Sequence, residues 1–193
     1  MPNEIGPPVA ATAHWLPMKI VGLRLRQRDG VTCGPSVAVM AGALLDPARH
    51  TALTEPESGA ALFAAEQLRV HADANRIWPR RLGTTPWGMA RAITAMGATA
   101  GVCYRWRLFR GRRDELEDVL TAVGRERPVA MLVGRGIPRH WVLIVAASDG
   151  ALTCYEPSSG ELRTVDGAAA RESRLTGLGF PRPFAFVLPR SNV

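Results

Sequence analysis

Hydrophobic and polar positions run at a helical period through the first half of the chain and at a strand period through most of the second. Val21, Leu23 and Leu25 alternate with other positions and predict a short strand over Lys19 to Arg26, ended by the turn Arg28-Asp29-Gly30. Thr32-Cys33-Gly34-Pro35-Ser36 opens an apolar helix, Val37 to Leu45, which Asp46-Pro47 closes. Leu62, Phe63, Leu68 and Val70 lie near helical spacing in an Ala-rich stretch. They predict a helix from Glu55 to about Ile77, broken by Trp78-Pro79. Thr84-Thr85-Pro86 supplies a hydroxyl cap and a first-turn proline for a helix over Trp87 to Met96, with Gly97 as its stop. A strand over Ala98 to Leu108 and a helix from Asp114 to about Val123, ended by Gly124, complete this part.

Beyond it the period shortens. Val129 to Val133, Trp141 to Ala147, Leu152 to Tyr155, Leu162 to Val165 and Phe184 to Leu188 read as strands. Asp149-Gly150 and Ser159-Gly160 between them are hairpin signals. Helices gathered before a strand meander predict an α+β domain. Residues 1 to 18 hold four prolines and little periodicity, and read as a flexible N-terminal arm ahead of one domain over 19–193.

Composition narrows the function classes. At 193 residues, 47% hydrophobic and 21% charged, the chain suits one globular domain with a sizeable core. The formal net charge is +7, and Lys19 is the lone lysine. A basic surface admits nucleic acid or an acidic partner, but the arginines are scattered. The densest group, Arg105, Arg107, Arg110, Arg112 and Arg113, lacks nucleic-acid motif spacing, so nucleic acid is not the expected partner. Three cysteines, Cys33, Cys103 and Cys154, argue against a disulfide framework. With no C-x2-C or H-x3-H spacing, neither a metal nor another cofactor is expected. Cys103 and Cys154 fall in predicted strands and read as core. The N-terminus carries no signal-peptide pattern and no apolar run is long enough to span a membrane, so the expected location is the cytoplasm.

The candidate chemistry centres on Cys33. A cysteine in the first turn of a helix sits among free backbone N–H groups, where the helix dipole favours the thiolate, the reactive form. Gly34 after it would keep the site open to a substrate, and Pro35 fixes the helix start. Gln27, six residues earlier, is placed to join the Cys33 N–H as a second donor to an oxyanion. His140, at the mouth of the strand that begins near Trp141, could face that helix start across a cleft and act as the base. Glu156, at the end of the neighbouring hairpin strand and before Pro157, comes roughly opposite His140 and could orient its ring. Each residue also has a plain structural reading: a buried small cysteine, an edge histidine and an exposed glutamate.

Taken in order, Gln27-x5-Cys33-Gly34-Pro35-Ser36, His140-Trp141-Val142 and Glu156-Pro157 resemble the papain-like cysteine peptidases. The nearest likeness is to the bacteriocin-leader-processing, double-glycine group. The resemblance spans about Lys19 to Leu188 and implies a papain-like fold, with the nucleophile at a helix start packed on a C-terminal antiparallel sheet. It implies a thiol hydrolase in which Cys33 attacks a peptide or isopeptide carbonyl, His140 moves the proton, Glu156 holds the imidazole and Gln27 helps hold the oxyanion. Cleavage after small residues such as a Gly-Gly pair is implied in the same way. Trp141 would shield the imidazole. The chain departs from the family at Glu156, where Asp or Asn is usual, and at Arg139, a cation on the cleft rim where glycine usually precedes the histidine. Two other readings stay open: an inactive domain of this fold that binds a peptide or acidic protein, and a basic nucleic-acid-binding domain.

Overall fold

The computed structural model describes residues 20, 22–74, 79 and 83–190, and the expectations for the 1–18 arm and for residues 75–78 lie outside them. Among the described residues the chain is α+β, with six α-helices and one six-stranded antiparallel sheet. Helices α1 (Cys33–Leu45), α2 (Pro47–Thr54), α3 (Gly59–Ala74) and α4 (Pro86–Met96) come first. Strand β1 (Tyr104–Leu108), α5 (Glu117–Gly124), β2 (Val129–Gly134), β3 (Pro138–Ser148), β4 (Ala151–Glu156) and β5 (Glu161–Asp166) follow, then α6 (Gly167–Arg171) and β6 (Arg182–Pro189). The sheet order is β1-β6-β2-β3-β4-β5, so β1 and β5 are its edges.

Helix α1 is the structural axis. All thirteen of its residues are buried, as an almost wholly apolar helix requires, and α3 and α4 pack on it while it rests on β3. The alternation along β3 explains how the sheet serves two cores. Trp141, Leu143 and Val145 face the α1, α3 and α4 layer, whereas Val142 and Ile144 join the core beneath α5 and α6. Asp149 and Gly150, with φ of +50° and +78°, form the two-residue turn between β3 and β4, where Ser148 pairs with Ala151.

Several expectations change. No strand forms among the described residues of the Lys19 to Arg26 stretch. That stretch is a strap fixed by non-ladder bonds: the Tyr155 hydroxyl donates to the Leu25 carbonyl at 2.6 Å and Arg26 Nε donates to Ser159 O at 2.9 Å. The helix expected over Val37 to Leu45 begins at Cys33 itself. Asp46-Pro47 closes α1 and also opens α2, because the Asp46 side chain caps Ala48 and Arg49 while Pro47 takes the first turn. Helix α3 starts at Gly59 rather than Glu55, since a Cβ there would meet the Leu53 carbonyl oxygen at 2.2 Å and only glycine lets α3 leave α2 so tightly. The strand expected over Ala98 to Leu108 is confined to β1, after a 3-10 turn over Ala98–Ala100, and Cys103 before it is exposed rather than core. Helix α5 starts at Glu117, not Asp114, because Asp114 is drawn inward to the buried Arg107 guanidinium at 2.6 Å. Arg107 also pairs with Asp118 at 2.6 Å and stacks on Phe186, so one member of the basic cluster is a core ion pair. Among the described residues, no helix is long and apolar enough to cross a membrane.

Candidate active site

Cys33 reaches its position through a chain of backbone and amide contacts. Thr32 precedes α1, and its carbonyl accepts from Ser36 N at 3.0 Å. The Ser36 hydroxyl lies 2.7 Å from that carbonyl and 2.9 Å from Gln67 Oε1. Gln67, on α3 and 1% exposed, also accepts from Arg28 N and donates to Arg26 O. One buried amide therefore ties the strap before Cys33 to the first turn of α1. Sequence reasoning missed Gln67, because a glutamine on a helix carries no local mark of burial.

The other side of the centre comes from the sheet. His140, near the start of β3, is 8% exposed; Glu156, the last residue of β4, is 8% exposed; Cys33 is 4% exposed. The His140 Nε2 atom lies 2.7 Å from Glu156 Oε1. That leaves Nδ1 as the other ring nitrogen, and Cys33 is close enough to the imidazole to act on its charge. The three residues that the sequence singled out are thus brought together, although 107 positions separate the cysteine from the histidine.

Electrostatics within the group favour charge. Burial works against a charged imidazole, but hydrogen bonds with Cys33 and Glu156, and the charges on both, outweigh it and raise the His140 pKa to about 9. Burial likewise opposes a carboxylate at Glu156. Hydrogen bonds from His140, Ser158 N at 3.0 Å and Ser159 N at 2.8 Å prevail, and its pKa falls to about 2. Around neutral pH the pair is an imidazolium held by a carboxylate. By contrast Cys154 is wholly buried, and burial pushes its thiol up to about 12, which makes it an inert core residue, as its strand position suggested.

Gln27 lies beside this centre. Its backbone N–H donates to the Pro157 carbonyl at 2.7 Å, which fastens the strap before Cys33 to the turn after Glu156. In its side chain, Nε2 donates to Asp29 O at 2.6 Å and Oε1 accepts from Ser158 Oγ at 3.3 Å. Gly160 makes the same approach possible further along: its φ is +71°, and a Cβ would meet the Arg24 backbone at 2.8 Å.

Two of the three residues expected to face a substrate sit differently. Gly34 does not border open space. A Cβ there would meet Thr84 Oγ1 at 2.6 Å and Thr84 Cβ at 2.7 Å, so its lack of a side chain admits the segment ahead of α4. The Trp141 indole is 1% exposed in the core, and its N–H donates to Thr84 O at 2.9 Å. It braces that same segment. The ring that stacks on the imidazole is Phe180, with centroids 5.8 Å apart. Phe180 is carried by a loop in which Leu175 N donates to Pro181 O at 3.0 Å and Gly177 and Gly179 adopt φ of +87° and +76°. The Gly-Leu-Gly-Phe-Pro string marks that loop in the sequence, but nothing local announces where it lands. Arg139 is exposed, next to His140 in β3.

A cavity of about 330 Å³ opens beside the imidazole, lined by His140, Glu156, Ser158, Arg163, Leu178 and Phe180, with the two loop glycines. Among the described residues, no three His, Cys, Asp or Glu side chains gather in a way that would hold a metal. Compared with known proteins, the chain matches no family model and no curated sequence.

Proposed function

We propose that this protein is a papain-like cysteine hydrolase that cleaves a peptide or isopeptide bond. One observation carries the reading: buried His140 holds Glu156 at 2.7 Å on one side of the ring and has Cys33, at a helix start, as its other ionisable neighbour. An imidazolium beside a thiol is the partner that a thiolate nucleophile needs. A lone structural histidine buried to this extent would instead be driven neutral.

In this mechanism Cys33 Sγ attacks the substrate carbonyl carbon and a C–S bond forms. The carbonyl oxygen becomes an oxyanion, held by the Cys33 N–H at the start of α1. A Gln27 amide hydrogen joins it if Nε2, which already donates to Asp29 O, turns its second N–H toward the site. His140 Nδ1 gives its proton to the leaving nitrogen as the C–N bond breaks. The resulting thioester is attacked by water, whose proton His140 accepts; the C–S bond then breaks and the acid leaves. Glu156 stays ionised throughout and fixes the ring through Nε2. Phe180 covers the ring and limits water around the His140–Glu156 bond. The longer arm of Glu156, compared with the family's Asp or Asn, is taken up by the Ser158 and Ser159 amides that bind its carboxylate.

A second reading, a catalytically idle domain of the same fold that holds a peptide, draws on the low exposure of Cys33, at 4%. Incubation with a mixed peptide library, followed by mass spectrometry, separates the two. The hydrolase reading predicts new termini that vanish in Cys33→Ala, together with a covalent acyl adduct on Cys33. Intact peptides at every pH, with no adduct, would contradict it.

A further inference from the structure

A second cavity lies away from the Cys33 centre. It is a cleft of about 740 Å³ between α3, α4 and β1, and none of Cys33, His140 or Glu156 lines it. Two tryptophans stand in it, Trp87 at 50% and Trp106 at 43% exposed, an unusual amount of aromatic surface for one wall of a small domain.

The wall is cationic. Arg91, Arg105 and Arg190 line it, and Asp73 is the single acid among the described residues that do. Neither Arg91 nor Arg190 has a carboxylate within 4 Å among the described residues, and Arg105 has only a longer-range attraction to Asp118. The Arg91 guanidinium lies 4.7 Å from the Trp87 ring centroid, so one face of that indole is already covered.

The floor of the cleft is a sheet edge. Strand β1 pairs with β6 on one side only. Phe109 N donates to Phe184 O at 2.9 Å, one step beyond the Leu108–Ala185 pair. In an antiparallel ladder alternate residues bond to the same neighbour, so Arg105, Arg107 and Phe109 face β6 while Tyr104, Trp106 and Leu108 present their peptide groups outward. The Tyr104 N–H is taken by Thr94 Oγ1 at 2.8 Å and the Leu108 carbonyl by Arg107 Nη1 at 3.1 Å. Among the described residues, none bonds to the Trp106 N–H or carbonyl, which lie between these two closed points.

We propose that this cleft docks an extended acidic peptide segment, which adds to the edge of β1 at Trp106 and sets its carboxylates against Arg91, Arg105 and Arg190. The open peptide groups supply the backbone ladder, the tryptophans supply apolar contact, and the arginines choose the sign of the partner. A nucleic acid has no use for a strand edge and meets a Trp87 face that Arg91 already occupies, so the observations favour a peptide. The site is independent of the hydrolytic reading and would serve an active or an idle domain.

The test is fluorescence anisotropy of a fluorescein-labelled octapeptide of alternating Glu and Val, with the full-length protein. Three probes run beside it: its Gln-Val counterpart, a version N-methylated at alternate residues, and an oligothymidylate of equal charge. The Glu-Val peptide should bind saturably and at least about tenfold more tightly than each of the others. The Arg91→Glu/Arg190→Glu variant and, separately, Trp106→Ala should each weaken it about tenfold, with circular dichroism and the rate of Cys33 alkylation unchanged. Equal binding of the Gln-Val or N-methylated peptide would overturn the proposal, as would tighter binding of the oligothymidylate, which would point to nucleic acid. No binding of the Glu-Val peptide up to about 1 mM, the weak end of specific recognition, would overturn it as well.

Discussion

Glu156→Gln removes one charge from the buried centre and keeps nearly the same shape. The rise of the His140 pKa from its ordinary 6.5 to about 9 corresponds to about 3 kcal/mol at 1.36 kcal/mol per pH unit. Burial opposes the charge, so the hydrogen bonds and charges of Cys33 and Glu156 together supply more than that sum. Glu156→Gln removes one of the two charges, and an adjacent opposite charge is worth about one to three pH units, so the His140 pKa falls by at least about one unit. The sign for stability follows from the same shifts. His140 titrates higher in the folded protein, so its contribution is complete below 6.5 and is lost as the pH rises through about 9. Glu156 titrates lower, so its contribution is present above 4.5 and is lost as the pH falls toward about 2. Titration of the Cε1 resonances of ¹³C-labelled histidine, with His140→Gln to assign the signal, reads the effect directly. The wild type should titrate near 9 and Glu156→Gln at least about one unit lower, with its stability flatter at both ends of the pH range. An identical His140 pKa in the two proteins, or an ordinary value in the wild type, would refute the reasoning.

Gly34→Ala should cost about 1 to 3 kcal/mol in urea unfolding, because the added Cβ meets Thr84 Cβ at 2.7 Å and the segment must move; an unchanged midpoint would show that it yields freely. Gln67→Leu leaves the Arg28 N–H and the Arg26 carbonyl without their buried partner and should cost about 2 to 3 kcal/mol, with slower Cys33 alkylation as the strap loosens. Alkylation at the wild-type rate in that variant would contradict the role given to the strap. Phe180→Ala admits water to the His140–Glu156 bond and should bring the His140 pKa back toward 6.5 in the same titration; no change would mean that the ring does not shield it.

The sequence made the site more legible than its surroundings. Cys33 at a helix start, His140 at a strand mouth and Glu156 at the end of the next strand each follow from local pattern, and the Asp149-Gly150 turn brings the last two together. The strand-rich second half was readable because its turns carry Gly at positive φ and its apolar runs are short. The Lys19 to Arg26 stretch misled because an apolar alternation is also what a strap shows when it buries one side, as at Leu25, which is buried while its carbonyl accepts from the Tyr155 hydroxyl. Helix α2 was hidden because Asp-Pro both stops one helix and starts another. Gln67, Thr84 and Phe180 depend on contacts that span 31 residues or more, and no local signal encodes where such side chains land. The same distance problem placed Trp141 at the imidazole when its indole lies in the core.

The most direct test of the central claim is the rate of Cys33 alkylation by iodoacetamide from pH 4 to 9, in the wild type and in His140→Ala. The account predicts alkylation much faster than that of free cysteine at neutral pH, slowed toward the free-cysteine rate in the variant. Alkylation at the free-cysteine rate in both proteins would contradict the ion pair, and with it the assignment of Cys33 as a nucleophile.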